Sequence, residues 1–237
     1  MSLTIAIVNY NYAQYLEQCI STCLKFSDLV HVYDDCSTDN SIEIIKSFPE
    51  VKLTQNIITS GSPVWGSSLS ILDCETTHLA WVDSDNFIIR KPEETDYDYV
   101  HFNTLVCNKE GQLIDYWDTS YFSTDYMEIL QFLYQTITMP FSWAGVWNMN
   151  FLKGKEWKAF KAHPSSCTDF RTAIEFMSYP MTINHIKEPW LVYRDHEENL
   201  TKKNRRDLYL EEAKELVNKI YTEAQFRNMK EKRQKGF

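Results

Sequence analysis

The sequence predicts one α/β domain with a mostly parallel central sheet and helices on both faces. The first observation is that apolar runs of strand length alternate with helix-period segments through residue 82, which is the pattern of successive βαβ units. The second is that the chain has 237 residues, enough for one large domain. The third is that neither an internal repeat nor a low-complexity linker divides it.

The first half of the chain gives the clearest elements. The run LTIAIV, residues 3–8, is apolar at every position but one, as expected of a strand that is buried on both faces. The spacing then predicts helices at Tyr12–Lys25, Asn40–Phe48 and near Ser67–Cys74, and strands at Leu29–Tyr33, Val51–Thr54 and His78–Val82.

The second half is less regular. We predict strands at Tyr99–Leu105 and Leu191–Tyr193 and helices at Tyr126–Tyr134, Phe170–Met177 and Leu208–Tyr221, the last of them amphipathic. The aromatic segment SWAGVWNM, residues 142–149, is expected to line a cleft, and the chain from Arg227 onward is expected to fray. Within one domain, 1–237, we distinguish residues 1–90, 91–201 and a C-terminal helix and basic tail, 202–237.

The composition is that of an ordinary globular protein, with 43% hydrophobic and 24% charged residues. No apolar run approaches the roughly 20 residues of a membrane span, and the N-terminus lacks the features of a signal peptide. The six cysteines show neither disulfide-framework nor zinc spacing. We therefore expect reduced thiols and a cytoplasmic location.

The charge is distributed unevenly. Residues 202–237 hold 11 basic and six acidic side chains, a balance of +5, whereas the remaining 13 basic and 27 acidic residues give −14. A basic arm on an acidic body suggests contact with an anionic surface such as a membrane or nucleic acid. A solvated helix with a frayed tail is the alternative.

Polar residues follow three of the predicted strands, as NYNY, DDCS and DSDN. In open parallel sheets, ligands bind outside the carboxyl ends of the strands. No dinucleotide-binding glycine motif follows the first strand, and no P-loop motif occurs. Asp83 and Asp85 lie two residues apart after an apolar strand, a spacing that allows both carboxylates to approach Mg²⁺ or Mn²⁺.

These motifs together resemble the family 2 glycosyltransferases, which have the GT-A fold. IAIVNYNYAQYLEQCI looks like the family's opening strand, loop and helix, and HVYDDCSTDNS is similar to its VDDGSTDNS segment. WVDSDN matches the D-x-D motif, and YRDHEENLT resembles the C-terminal YRxHxxSxS segment. The helix before the D-x-D strand, PVWGSSLSIL, departs from the family by lacking the Arg of its Ala-Arg-Asn segment.

The resemblance implies a nucleotide-sugar site in residues 1–90. Asp35 would accept a hydrogen bond from the uracil ring of the donor, while Asp34 would order the loop. Tyr10 would stack on the base, with Asn9 beside it in the site.

The resemblance also implies a metal and a leaving-group site. Asp85 would be the direct ligand of Mn²⁺ or Mg²⁺, and Asp83 would bind sugar or ribose hydroxyls, or the metal through water. His196 would be a third metal ligand, and Arg194 would pair with the diphosphate.

The implied base follows from the family's ED segment at the start of a helix. SSCTDFRTAIEF fits this segment, so Asp169 is the expected catalytic base, and Glu175 is the fallback. A simple N-terminal helix acid is the structural alternative for Asp169.

The function expected is therefore inverting, metal-dependent transfer of a sugar from a nucleotide sugar, UDP-linked by preference. The acceptor is expected to be a glycan or lipid-linked sugar, with hydroxymethylated bases of phage DNA as an alternative. Two rivals of other classes are a nucleotidyltransferase, which the lack of a basic residue in NYNYAQ disfavours, and a non-catalytic GT-A binding module.

Overall fold

The described residues form two β-sheets, and the larger one carries the strand ends that the sequence marks with polar residues. The computed structural model describes residues 2–62, 64–93, 95–137, 145–155, 157, 168–199 and 210–234. The strands are β1 Leu3–Asn9, β2 Leu29–Asp34, β3 Lys52–Gln55, β4 His78–Asp83, β5 Phe87–Ile88, β6 Tyr99–Phe102, β7 Thr104–Cys107, β8 Leu113–Trp117, β9 Val146–Asn148, β10 Ile183–Ile186 and β11 Leu191–Arg194. The helices are α1 Ala13–Phe26, α2 Ser41–Lys46, α3 Val64–Asp73, α4 Tyr126–Thr136, α5 Met149–Leu152, α6 Thr168–Phe176 and α7 Leu210–Gln234.

The larger sheet is parallel in all but one of its described strands. Its order is β10-β6-β9-β4-β1-β2-β3, and β9 runs antiparallel to both of its neighbours, β4 and β6. Because β9 opposes both, β4 and β6 point the same way, and their carboxyl ends share one edge with those of β1, β2 and β10. We call this edge the carboxyl edge. The second described sheet has the order β5-β11-β7-β8.

Alternating residues of the central strands bury opposite faces of the sheet. Ala80 and Val82 of β4 pack in the same cluster as the buried residues of α1, which include Leu16 and Ile20. Trp81 of the same strand packs in the other cluster, to which α3, α4, α6 and α7 contribute. Helices thus cover both faces, and the predicted α/β fold class is confirmed.

Helix α3 lies unusually close to the sheet at one point. A Cβ atom added at Gly66 would lie 2.8 Å from Cβ of Tyr33 and 3.1 Å from Cγ2 of Val8. The distance to Tyr33 is shorter than real Cβ atoms show and the distance to Val8 is tighter than most, so glycine allows the helix to approach β1 and β2 this closely.

The predicted strand Tyr99–Leu105 is two strands. The chain leaves the larger sheet after Phe102 and enters the second sheet at Thr104. Asn103 lies between them, and its buried side chain donates to the Tyr116 hydroxyl at 2.6 Å and makes a 2.8 Å hydrogen bond with His185. These local hydrogen bonds compete with continued pairing in one sheet.

Two further predictions need correction. Val146–Asn148, inside the segment expected to line a cleft, is strand β9, and Trp147 is buried in the core; residues 142–144 lie outside the described part. The chain after Arg227 was expected to fray, but α7 continues to Gln234. The predicted apolar face of this helix is confirmed where it is described, because Ala213, Val217 and Ile220 are buried.

None of the described helices has the length and apolar character that a membrane span needs.

Candidate functional site

Asp34 orders the loop between β2 and α2. Its buried carboxylate accepts hydrogen bonds from Nδ2 of Asn9 at 2.8 Å and from the backbone N and Oγ of Ser37 at 2.9 and 2.6 Å. Asn9 pairs with Asp34 in the β1–β2 register, so the two side chains meet at the carboxyl edge. Asn9, predicted to bind the nucleotide sugar, is thereby engaged in holding this loop.

Asp35 lies beside the loop that follows β3. Its carboxylate accepts from Nδ2 of Asn56 at 2.9 Å, from Oγ1 of Thr59 at 3.0 Å, and from both the N and the Oγ of Ser60, the last at 2.8 Å. It is 4% exposed. A uracil ring would have to share this carboxylate with donors of the protein, so the predicted base contact of Asp35 stays a prediction.

Tyr10 leaves the sheet directly after β1. Tyr10 is 46% exposed, which leaves part of its surface open for stacking. The carbonyl of the preceding residue, Asn9, accepts from the backbone N of Asp35 at 2.9 Å. The next residue, Asn11, has a positive φ of 58° and accepts from the backbone N of Thr38 at 2.7 Å. Asparagine tolerates this left-handed conformation better than most residues. The turn therefore fixes the backbone on which Tyr10 stands.

The two carboxylates of the D-x-D motif have different surroundings. Asp83 ends β4 and is exposed, and Oδ2 accepts from Nδ2 of Asn86 at 3.2 Å. Asp85 is 7% exposed, and its Oδ2 accepts from Nε2 of His196 at 3.0 Å and from Nδ2 of Asn199 at 3.3 Å. The structure thus joins the D-x-D motif to the YRDHEENLT segment, as the family resemblance implies.

Asn199 is a site residue that the sequence reasoning did not name. Its Nδ2 contacts Asp85 and also donates to the carbonyl of Arg194 at 3.1 Å, while its Oδ1 accepts from the backbone N of His196 at 2.6 Å. It occupies the position of the first serine in the YRxHxxSxS segment. That correspondence is the signal that could have identified it.

The residues present fit a divalent cation in part. Oδ1 of Asp85 and Nδ1 of His196 are buried and have no hydrogen-bond partner among the described residues. Within the same part of the chain no group of three or more His, Cys, Asp or Glu side chains is arranged to hold a metal. Mg²⁺ is commonly bound by one or two carboxylates together with substrate phosphates, so Asp85 could serve as a protein ligand, and the metal roles of Asp85 and His196 stay predictions.

The surroundings of Tyr12 show that negative charge accumulates at this point. Burial is the main reason that the pKa of its phenol lies well above the usual range. The charges of three nearby carboxylates raise it further, those of Asp85, Asp83 and Glu198. A concentration of one sign of charge in a partly buried site attracts a counter-ion.

Arg194 is buried and its guanidinium is engaged inside the protein. Nε donates to the carbonyl of Asp85 at 2.9 Å, Nη1 to that of Lys109 at 2.8 Å, and Nη2 to Oε1 of Gln18 at 2.6 Å. The guanidinium also lies 4.6 Å from the ring centre of Tyr15. These contacts fix the backbone of the D-x-D turn, and the pairing of Arg194 with a diphosphate stays a prediction.

The predicted base is only partly visible. Asp169 is the second residue of α6, in the first turn as predicted, and its side chain lies outside the described part of the structure. Glu175, the fallback, is a partly buried residue of the same helix.

A second polar cluster lies further along the carboxyl edge and was not predicted. The rings of His101 and His185, paired across β6 and β10, have centroids 4.5 Å apart. Asn103 bonds to His185, and its Oδ1 accepts from the backbone N of Thr119 at 2.9 Å. Burial, aided by the neighbouring His185, lowers the pKa of His101 to about 3. The cluster anchors the chain that follows β8 to this edge.

Comparison with known proteins connects this geometry to a class of enzymes. Residues 4–90 match the sequence model of glycosyl transferase family 2. An uncharacterised glycosyltransferase of Haemophilus influenzae is 28% identical over 144 residues, which are 54% of this chain and 57% of that protein. The poly(ribitol-phosphate) β-N-acetylglucosaminyltransferase TarS of Staphylococcus aureus is 25% identical over 123 residues, 47% of this chain and 21% of TarS.

Solved structures extend the likeness over most of the chain. A crystal structure of residues 1–349 of S. aureus TarS with UDP-GlcNAc has a TM-score of 0.71 and 17% identity, and covers 93% of this chain and 66% of that one. The corresponding structure with UDP has a TM-score of 0.66 and covers 93% and 65%. At this identity the likeness shows the fold, which is the GT-A fold.

The predicted resemblance to the family 2 glycosyltransferases is confirmed, with the sequence match confined to residues 4–90. The chain spans 57% of the length of the H. influenzae relative and 21% of that of TarS.

Proposed function

We propose that the protein is a metal-dependent, inverting glycosyltransferase that uses a nucleotide sugar, UDP-linked by preference. The observation that carries this proposal is the contact of Asp85 with His196, which joins two motifs that lie 111 residues apart at the carboxyl edge. The match of residues 4–90 to family 2 and the structural likeness to TarS bound to UDP-GlcNAc support it.

The donor would lie across the ends of β1, β2 and β4. Tyr10 would offer the base an exposed aromatic ring, and Asp35 would contact the base from the end of β2. Exposed Asp83 would accept hydrogen bonds from sugar or ribose hydroxyls in addition to the one from Asn86, since a carboxylate accepts several hydrogen bonds.

Asp85 and His196 would hold Mn²⁺ or Mg²⁺ near the diphosphate. Such a cation, when bound, offsets the charge that develops on the leaving group. Arg194 acts indirectly in this proposal. Its guanidinium donates to the carbonyl of Asp85 and thereby orients the turn that carries the proposed metal ligand.

Asp169 would accept the proton of the acceptor hydroxyl while the hydroxyl oxygen bonds to the anomeric carbon. The bond from that carbon to the diphosphate oxygen breaks in the same displacement, and the configuration inverts. A carboxylate in the first turn of α6 suits this role, because Asp and Glu are common general bases. A glycan or lipid-linked sugar is the acceptor that we propose, and modified DNA is tested beside it.

The cysteines Cys19, Cys23, Cys36, Cys74 and Cys107 are free thiols. This state is maintained in a reducing compartment and supports our proposal of a cytoplasmic location.

The test is nucleotide-sugar hydrolysis across a donor panel, with and without metal. Activity should vanish in EDTA and return with Mn²⁺ or Mg²⁺, and Asp85→Asn should lose metal-dependent donor binding while remaining folded. Asp96→Asn, an exposed aspartate outside the motif, is the matched control. Full activity in chelator, or an Asp85→Asn protein with unchanged metal response, contradicts the proposal.

A further inference from the structure

A cavity of about 320 Å³ opens between helix α4 and the loop that precedes it. Its volume lies at the lower end of the range of roughly 300–1,000 Å³ that is common for small-molecule sites. Its lining residues are Tyr121, Phe122, Ser123, Glu128, Ile129 and Phe132.

Aromatic rings form one wall of this cavity. The ring centroids of Tyr121 and Phe122 are 4.3 Å apart, and those of Phe122 and Phe132 are 5.2 Å apart in an edge-to-face arrangement. Tyr121 is 76% exposed. Because Phe132 packs against Phe122 and holds it in place, the exposed Tyr121 ring packs against a fixed neighbour.

Two polar side chains complete the lining. Ser123 Oγ accepts from the backbone N of Asp125 at 2.9 Å, and a hydroxyl that accepts in this way can also donate its proton. Glu128 is exposed in the first turn of α4, and its backbone N donates to the capping carboxylate of Asp125 at 3.0 Å. The cap fixes the turn, and therefore the position from which the Glu128 carboxylate extends.

This combination matches a neutral sugar ring. A pyranose has an apolar face of C–H groups, which an aromatic ring covers, and hydroxyls around its rim, which carboxylate and hydroxyl groups bind. The lining residues include no Lys or Arg. A phosphate-bearing chain would meet the Glu128 carboxylate without a compensating cation.

The loop that carries the aromatic wall is attached to the carboxyl edge. Thr119 donates from its backbone N to Oδ1 of Asn103, the residue that follows β6. The carboxyl end of β6 lies on the same edge as the D-x-D motif after β4. A ligand in the cavity therefore lies beside a loop that begins at the edge where the donor is proposed to bind.

We infer that this cavity is an acceptor subsite that stacks a neutral pyranose on Tyr121 and binds its hydroxyls through Glu128 and Ser123. The inference rests on the proposed glycosyl transfer and deepens it, because it specifies an uncharged sugar acceptor. The inferred acceptor therefore differs from the poly(ribitol-phosphate) that the name of TarS specifies, because it carries no phosphate.

The test measures binding of sugar probes to the full chain by saturation-transfer NMR. The samples contain UDP and Mg²⁺, and they contain no Mn²⁺. The probes are the methyl β-glycosides of glucose, galactose and N-acetylglucosamine, and ribitol 5-phosphate. The variants are Tyr121→Ala and Glu128→Gln, and Tyr97→Ala is the control because Tyr97 is an exposed tyrosine that lines a different cavity. UDP binding is measured separately by calorimetry.

At least one pyranoside should bind the wild-type protein, and its affinity should fall roughly 2- to 12-fold in Tyr121→Ala, the range expected for loss of one stacking contact. Glu128→Gln should also weaken it, and Tyr97→Ala should not. Unchanged pyranoside binding in Tyr121→Ala, no pyranoside binding at all, or binding of ribitol 5-phosphate alone overturns the inference. If the wild-type protein binds UDP but no pyranoside, the subsite inference is wrong and the proposed function is unaffected. If the wild-type protein does not bind UDP, the proposed function itself is contradicted.

Discussion

Acidification from pH 8 to pH 5 should destabilise the fold through His101. This residue is 1% exposed, and its pKa is lowered to about 3, mainly by burial and also by His185. In the unfolded chain a histidine has a pKa of about 6.5. Between these two values the unfolded state binds a proton that the folded state does not, so stability is complete above pH 6.5 and falls as the pH falls towards 3.

The size of the effect follows from the two pKa values. Proton linkage gives a loss of about 2 kcal/mol at pH 5 relative to pH 8 for a single group of this kind. Because the imidazole is almost fully buried, solvent screening does not reduce this figure much. Most carboxylates titrate below this pH window, and the total stability of a domain is about 5–15 kcal/mol, so the effect is measurable.

The free energy of unfolding is measured by urea denaturation at pH 8 and pH 5, with tryptophan fluorescence as the signal, in the wild-type protein and in His101→Gln. The wild-type loss should exceed the loss in the variant by about 2 kcal/mol, and this double difference removes the contributions of other groups. Equal losses in the two proteins would refute the reasoning. If His101→Gln is too unstable for unfolding measurements, an NMR titration of the wild-type protein gives the pKa of His101 directly. A pKa near 6.5 for His101 would also refute the reasoning.

Three further outcomes are expected. Gly66→Ala should destabilise the fold by about 1–3 kcal/mol, because the new Cβ overpacks against Tyr33; unchanged urea unfolding would contradict the close approach. Asp169→Asn should keep donor affinity and lose about 10²–10⁴-fold in transfer, and a near wild-type rate would move the test to Glu175. Truncation after Phe226 should leave the fold and donor hydrolysis intact, since Ala224 is the last buried residue among the described side chains of α7. The truncation should flatten the salt dependence of binding to DNA or anionic vesicles. Identical salt-dependence curves for the wild-type and truncated proteins would show that the tail is only solvated.

The first four strands and three helices could be predicted because their pairing and periodicity are encoded locally. β1, β2 and β4 are short, mainly apolar runs, and the ends of the first four strands fall within two residues of the prediction, whereas α3 begins three residues before its predicted start. The polar residues at the ends of β1, β2 and β4 then meet by register alone, as Asn9 opposes Asp34 and Val8 opposes Asp83.

The second half could not be predicted equally well because its strands are short and their pairings are distant. β9 has three residues and inserts between strands that precede it by more than 40 residues. β8, Leu113–Trp117, is exposed at every position, so it shows no alternation of apolar and polar residues. The contact between Asp85 and His196 could be expected only through the family resemblance, since no local pattern relates the two residues.

The antiparallel strand β9 explains how the groups that we propose for donor and acceptor binding come to share one edge. Two antiparallel pairings in succession restore the original direction, so β6 points the same way as β4 although they are not neighbours. The end of β6 therefore brings His101 and Asn103 to the edge where Asp83 and Asp85 follow β4. A parallel strand in the place of β9 would keep this direction too, but it would need a crossover connection on each side. With β9 antiparallel to both, the aromatic loop anchored at Asn103 and the D-x-D turn are held by the same rigid sheet, which is what transfer between two bound substrates requires.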